Sequence, residues 1–217
     1  MTFDDFILIA VVIIFTLLIY FKIRNIQYFR REIYINKYVF SAILSEKGRG
    51  KYPHLTKQQT DLVMVALRDY FYICHKAKGK AAAMPSQVVD VAWHEFILFT
   101  REYEMFCNKA FDRFLHHTPT EVMKSSVQAT EGIKRAWSLC CTKEAIDPKN
   151  PTRLPLLFDI DTRLSIEDGF RYTLNCKDDK HHGSYCAGDI RCSASTSGCG
   201  SFDSEWCWWR LWWRLIP

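Results

Sequence analysis

The chain has 217 residues, of which 48% are hydrophobic, 15% aromatic and 24% charged. That suits one domain with appendages and excludes wholesale disorder, because the apolar share is ample for a packed core. Its 29 basic and 24 acidic side chains leave a net charge of +5, too mild and too dispersed to point to nucleic acid, and no nucleic-acid partner is expected.

Residues 6–21 (FILIAVVIIFTLLIYF) form an apolar run without charge, Gly or Pro. As a helix the run spans roughly 24 Å, close to a hydrocarbon core of about 30 Å once Lys22 snorkels and Tyr20 takes the headgroup region. A buried helix is seldom apolar around its whole circumference. A cleavable leader wants a positive start and a small-residue cleavage site, whereas here Asp4 and Asp5 precede the run and Lys22 and Arg24 follow it. A transmembrane anchor is therefore expected, with the lipid bilayer as its partner. Lys22, Arg24, Arg30 and Arg31 follow the span and no basic side chain precedes it. Basic residues stay inside, so the expectation is a single-pass protein of the cell membrane, N-terminus outside and domain cytoplasmic. Cysteines in that compartment should be mostly reduced.

Residues 28–46 can carry the helix onward, with Phe29, Ile33, Val39, Phe40 and Ile43 as its apolar side, until Gly48, Gly50 and Pro53 break it. A second helix is predicted over 55–78, opened by a capping box of Thr56 with Gln59 and lined by Leu62, Val65, Leu67, Tyr70, Phe71 and Ile73. Ser86 is the expected N-cap of a third, through Val89, Trp93, Phe96 and Ile97. Another covers 101–114 and ends before Pro119, and a further one fits 131–141. The apolar run 154–160 reads as strand or buried turn, and 170–174 as another short run.

From residue 175 the composition turns to Gly, Ser, Asp and Cys, with little to bury, so disorder is expected. The last residues, 206–217 (WCWWRLWWRLIP), admit two readings. Trp and Arg suit a membrane interface. Alternatively, codons of the type TGG TGG CGG TTG, shifted by one base, read as a Gly/Cys-rich tail, which the nucleotide sequence decides. The fold class is thus mainly α: a transmembrane anchor over 1–24, a juxtamembrane helix and loop over 25–54, a small helical domain over 55–175 and a disordered Gly/Ser/Cys-containing tail over 176–217.

The densest reactive cluster runs from Pro85 to Pro119. Asp90 and His94, four apart, share a helix face, so the carboxylate can hold one imidazole nitrogen and free the other. Cys107 falls on the next helix, and His116 and His117 follow it where the chain can return toward His94. Two imidazoles and a thiolate make a candidate set for zinc: His94, Cys107 and His116 or His117, with Asp90 orienting His94. Trp93 and Tyr103 are read as structural. The spacing is not that of a compact metal motif, and the plain alternative is a braced helix with an ordinary buried thiol.

The pattern P-x(4)-D-x-x-W-H-x(3)-L-x(4)-Y-x(3)-C, followed by F-L-H-H-x-P, covers Asp90, Trp93, His94, Leu98, Tyr103, Cys107, His116 and His117. It resembles the glycine-rich domain-containing-protein-like family, as a membrane-anchored member of bacterial type. The resemblance implies a helical domain, often with a Gly-rich tail, and no settled activity. The family's W-H-x-H core has Phe96 at its second histidine here, so a site needing both would be altered. No P-loop, dinucleotide fingerprint, nucleophile elbow or H-E-x-x-H is present; His94-Glu95 lacks the last motif's second ligand because residue 98 is Leu. Two readings follow. The favoured one is a membrane-tethered interaction or scaffolding domain with a protein partner. The alternative is a metal- or ligand-binding domain, with or without enzymatic activity, using the His/Cys site.

Overall fold

The structure is a computed structural model that describes residues 3–117, 126–174, 185–187 and 190. The apolar run is the first part of one continuous helix, α1 (Phe3–Lys37), which is long and apolar enough to cross a membrane, with a mean hydropathy of 2.8 and none of its apolar window buried. At about 1.5 Å per residue the helix is roughly 50 Å long, longer than the roughly 30 Å hydrocarbon core of a bilayer. Its far end is part of the domain. Ile35 is fully buried, Tyr34 packs on Phe106, Glu32 pairs with Lys76 at 2.6 Å, and Arg31 pairs with Asp112 at 2.9 Å.

The chain then departs from the expected single helix over 28–46. It breaks at residues 38–41 and restarts as α2 (Ala42–Lys51), because the Ser41 side chain accepts a hydrogen bond from the Leu44 N–H and caps a new helix. α2 runs through Gly48 and Gly50 and stops at Lys51, two residues before Pro53. The glycines are tolerated within the turn at a small propensity cost, whereas proline is a true terminator. The buried residues of this stretch are Ile35, Phe40 and Leu44, while Phe29, Ile33, Val39 and Ile43 are exposed.

α3 (Lys57–Lys76) follows with both hydrogen bonds of the Thr56/Gln59 capping box in place. Its inward side buries Val63, Leu67, Tyr70 and Phe71. It is the central helix, with α1, α2, α4, α6 and α7 packed around it. α4 (Gln87–Leu98) starts at the expected cap, Ser86 Oγ accepting from the Val89 N–H at 3.2 Å. α5 (Thr100–Phe111) ends at Asp112, whose positive φ of 61° closes the helix in the left-handed region. α6 (Ser126–Lys143) is longer than the predicted 131–141. The run read as strand or buried turn is instead a helix, α7 (Leu156–Arg163). Its inward residues Leu157, Phe158, Ile160, Asp161 and Leu164 recur at helical spacing. A short β1 (Tyr172–Thr173) pairs in parallel with β2 (Tyr185–Cys186).

Seven helices among the described residues make the protein mainly α, as the sequence predicts. The expectation of a disordered tail over 176–217 falls outside the described residues apart from 185–187 and 190, where Cys186, Ala187 and Ile190 are buried. The tryptophan-rich end lies outside them too. Cys74, Cys107, Cys140 and Cys141 are free thiols. Cys186 is disulfide-bonded, an exception to the expected reduced state.

The aromatic core surrounds Phe71, which touches the rings of Trp93, Phe96 and Phe106 at 6.1, 6.1 and 4.8 Å. Among the described residues one carboxylate sits fully inside the domain. Asp161, 1% exposed, accepts from Ser86 Oγ at 2.7 Å and the Val88 N–H at 3.2 Å on one oxygen, and from the Gln87 and Phe170 N–H groups at 2.7 and 2.9 Å on the other. Three of these donors belong to the cap and first turn of α4, where the free amides and helix dipole favour an anion. Gly169 keeps the space open, since a Cβ there would lie 2.7 Å from the Asp161 Cβ.

Replacing this carboxylate by a methyl group strands buried donors, so Asp161→Ala is expected to destabilise the domain by about 3 kcal/mol in denaturant unfolding. Asp161→Asn turns an amide N–H₂ against two of the donors and should also destabilise. Equal stability of both variants and the native chain would contradict this account. A second prediction concerns His75. Burial, then the Lys76 charge, pulls its pKa down to about 4, with Glu32 opposing, and its ring stacks on Tyr28 at 4.3 Å. The unfolded chain, with imidazole near 6.5, binds this proton more readily than the folded one. Stability should therefore fall as pH drops from about 6.5 to about 4. Unfolding curves of His75→Phe across that range should show a flatter dependence than the native chain.

Candidate metal-binding site

The site begins with the start of α4, which Ser86 and Asp161 fix. Asp90 is the fourth residue of that helix and His94 stands one turn further on, so both point to one face. The opposite face carries Val89, Trp93 and Phe96 into the core. Trp93, 3% exposed, donates its indole N–H to the Tyr103 hydroxyl at 3.1 Å. That hydroxyl in turn donates to the Leu115 carbonyl at 2.5 Å. Through Trp93 and Tyr103, α4 and α5 hold the segment after α5 in place.

That segment delivers His117. Its ring meets the Trp93 ring edge-on at 4.5 Å and the His94 ring at 4.2 Å. His117 Nε2 lies 2.9 Å from Asp90 Oδ1, to which it can donate, and 3.1 Å from His94 Nε2. His94 Nε2 is 3.7 Å from Asp90 Oδ2. One ligand atom from each of Asp90, His94 and His117 thus falls within a sphere of mutual distances below 4.8 Å. The side chains of Asp90 and His117 are 21% and 14% exposed, and that of His94 is 50% exposed. The group has a closed floor and an open mouth.

The predicted site residues divide cleanly. The structure brings together His94, His117 and Asp90. It places Cys107 elsewhere: the thiol is fully buried beside Tyr103 and the Leu115 backbone and is not among the three converging ligands. Burial pushes the Cys107 thiol up, the hydrogen bonds from Leu115 and Tyr103 offsetting only part of the effect, so it disfavours the thiolate a metal needs. His116 turns outward with its ring 4.9 Å from Phe114. Asp90 faces both imidazoles rather than serving His94 alone. Trp93 and Tyr103 are the structural floor. The residue that sequence reasoning missed is Asp161, whose signal was one acidic side chain just after the apolar run 154–160.

The spacing of the three ligand atoms can be compared with a coordination shell. Bonds of about 2.0–2.1 Å in a tetrahedral site put ligand atoms roughly 3.3 Å apart. His117 Nε2 stands 2.9 Å from Asp90 Oδ1 and 3.1 Å from His94 Nε2, and His94 Nε2 stands 3.7 Å from the other Asp90 oxygen, Oδ2, all near that value. Two imidazoles and a carboxylate on one side of an ion, with solvent on the other, is a donor set for zinc or another divalent transition metal with an open position.

The family model described as UCP032817-like matches residues 30–194 of the chain, a segment that starts within α1 and contains the whole site. No curated protein and no solved structure matches the chain.

Proposed function

The chain belongs to the UCP032817-like family, and we propose that it is a membrane-anchored protein whose helical domain binds a divalent transition metal, zinc in the first place, through Asp90, His94 and His117. The observation that carries the reading is the convergence of these three groups at the spacing of a coordination shell. A scaffolding role would leave Asp90, His94 and Cys107 buried and mutually satisfied. Only Cys107 is buried, and His94 stands half in solvent. The likeness of roughly residues 55–125 to glycine-rich domain-containing proteins fits this proposal, since Trp93, His94 and Tyr103 build the site and its floor.

The anchor reading draws support from the way α1 passes without interruption from its apolar stretch into contacts with α3 and α5. Part of the same helix is core. The four basic residues after the span favour a cytoplasmic domain. One observation favours the opposite face: the disulfide at Cys186 suits an oxidising compartment. We take the basic flank as the stronger guide, because it acts during insertion.

Titration of the purified full-length protein with Zn²⁺ should show one site per chain. His94→Ala and His117→Ala should each weaken it beyond the roughly 10–100-fold typical of lost supporting contacts, while Cys107→Ser should leave it unchanged. Unchanged affinity in both histidine variants would sink the metal reading. Affinity should also fall on acidification, because imidazoles must be neutral to bind. For topology, protease added outside intact cells should spare the domain and digest it only after lysis. Digestion in intact cells would reverse the orientation.

A further inference from the structure

We propose that the basic cleft between the membrane-proximal part of α1 and the end of α5 binds the phosphate headgroup of an anionic phospholipid. This rests on the reading of α1 as a membrane anchor and is independent of the metal site. The cleft, a shallow groove of about 360 Å³ open to solvent, is lined by Gln27, Arg30, Arg31, Tyr34, Asn108 and Lys109. Three of these six side chains are cationic, none is acidic, and the other three carry amide or hydroxyl donors. Arg31 is tied to Asp112 at 2.9 Å. Lys109 lies over the Tyr34 ring at 5.9 Å. Among the described residues neither Arg30 nor Lys109 has a carboxylate within ion-pair distance. Two exposed positive charges therefore face one cleft without internal neutralisation.

Their depth decides the ligand. A hydrocarbon core of about 30 Å takes roughly 20 helical residues. Counted from Phe6, it ends near residue 25, since Ile23 and Ile26 extend the apolar helix and Lys22 and Arg24 can snorkel. Gln27, Arg30 and Arg31 then stand roughly 3–9 Å beyond the core, at headgroup level. Lys109 reaches the same level from α5 only because α1 is packed against that helix, as the Tyr34–Phe106 and Arg31–Asp112 contacts show. A guanidinium fork beside an ammonium, with amide donors around them, matches the oxygens of a phosphodiester. A zwitterionic lipid would bring its own cation against Arg30 and Lys109. The cleft is thus suited to lipids of net negative charge.

The test uses the detergent-purified full-length protein, with bound lipid counted by native mass spectrometry against phosphatidylglycerol and phosphatidylcholine. The native chain is expected to retain phosphatidylglycerol with a preference on the order of tenfold. The double variant Arg30→Gln with Lys109→Gln should lose that preference. A charge-matched control, Lys57→Gln with Lys149→Gln, should keep it. Equal retention of the two lipids by the native chain overturns the proposal without needing any variant to fold, as does loss of the preference in the control. Inorganic phosphate at equal concentration should not displace the lipid. Full displacement would identify a free-phosphate site and refute the lipid assignment. Fractionation separates the two readings: a chain absent from membranes sinks the anchor, and one embedded without headgroup preference sinks only the cleft.

Discussion

The carboxylate of Asp161 fixes the start of α4, and the rest of the site depends on that start. A buried anion in a helical domain needs donors on all sides, and Asp161 obtains four, three of them at the cap and first turn of α4. The arrangement satisfies both parties. The helix has amides with no partner of their own, and the carboxylate has lone pairs that burial would otherwise leave empty. Because the bonds come from Ser86, Gln87 and Val88 together, they set the rotation of α4 about its axis as well as its position. Rotation decides which side chains face inward. Trp93 enters the core, and Asp90 and His94 meet His117 at the surface.

The second constraint is the continuity of α1. A membrane span joined to a domain by a loop can be placed at any angle. Here the helix that carries the apolar stretch also supplies Ile35 to the core and is clamped by Glu32–Lys76 and Arg31–Asp112. The ion pairs are partly exposed and contribute little energy each, about 0–1 kcal/mol. Burial of Ile35 and packing of Tyr34 and Tyr38 on Phe106 supply the larger part. Such a joint keeps α5 at a constant height and angle relative to the helix axis, which is what allows Lys109 to share a cleft with Arg30.

Much of this was legible in the residues. The caps at Thr56 and Ser86 were readable because a side-chain oxygen next to orphan amides is a local interaction, needing no knowledge of the fold. That Asp90 and His94 share one face was readable for the same reason, at one turn's spacing, although the carboxylate's hydrogen bond goes to His117 and not to His94. What failed was whatever depended on direction after a turn. Cys107 and His116 were drawn into the candidate site by proximity in sequence, but Tyr103 ties the segment after α5 so that His117 faces inward and His116 outward. Cys107, four residues from Tyr103 on the same helix, is buried with it beneath the site rather than in it. The run 154–160 was too short for periodicity to separate helix from strand, and Asp161, the residue that settles the matter, lies one position beyond it. The two glycines of α2 misled because a local penalty of about 1 kcal/mol each is overridden by packing at Leu44.

The cluster of Asp90, His94 and His117 has a stabilising alternative that can be weighed by magnitude. His94, half in solvent and 3.7 Å from the Asp90 carboxylate, contributes at most about 1 kcal/mol by pairing, and holding its side chain in that geometry costs rotamer freedom of similar size. His94 gains little from packing, since its only ring neighbour among the described residues is another imidazole. Trp93 and Tyr103 nevertheless form a fully buried, hydrogen-bonded base whose effect is to aim His117 at Asp90 and His94. A rigid support under a weakly stabilising surface cluster is what a preorganised ligand set requires, because the entropy of gathering the donors is then spent in folding and not in binding. An ion placed among the three would draw its donors from side chains already facing it, and the exposed edge of His94 marks the side from which it would enter.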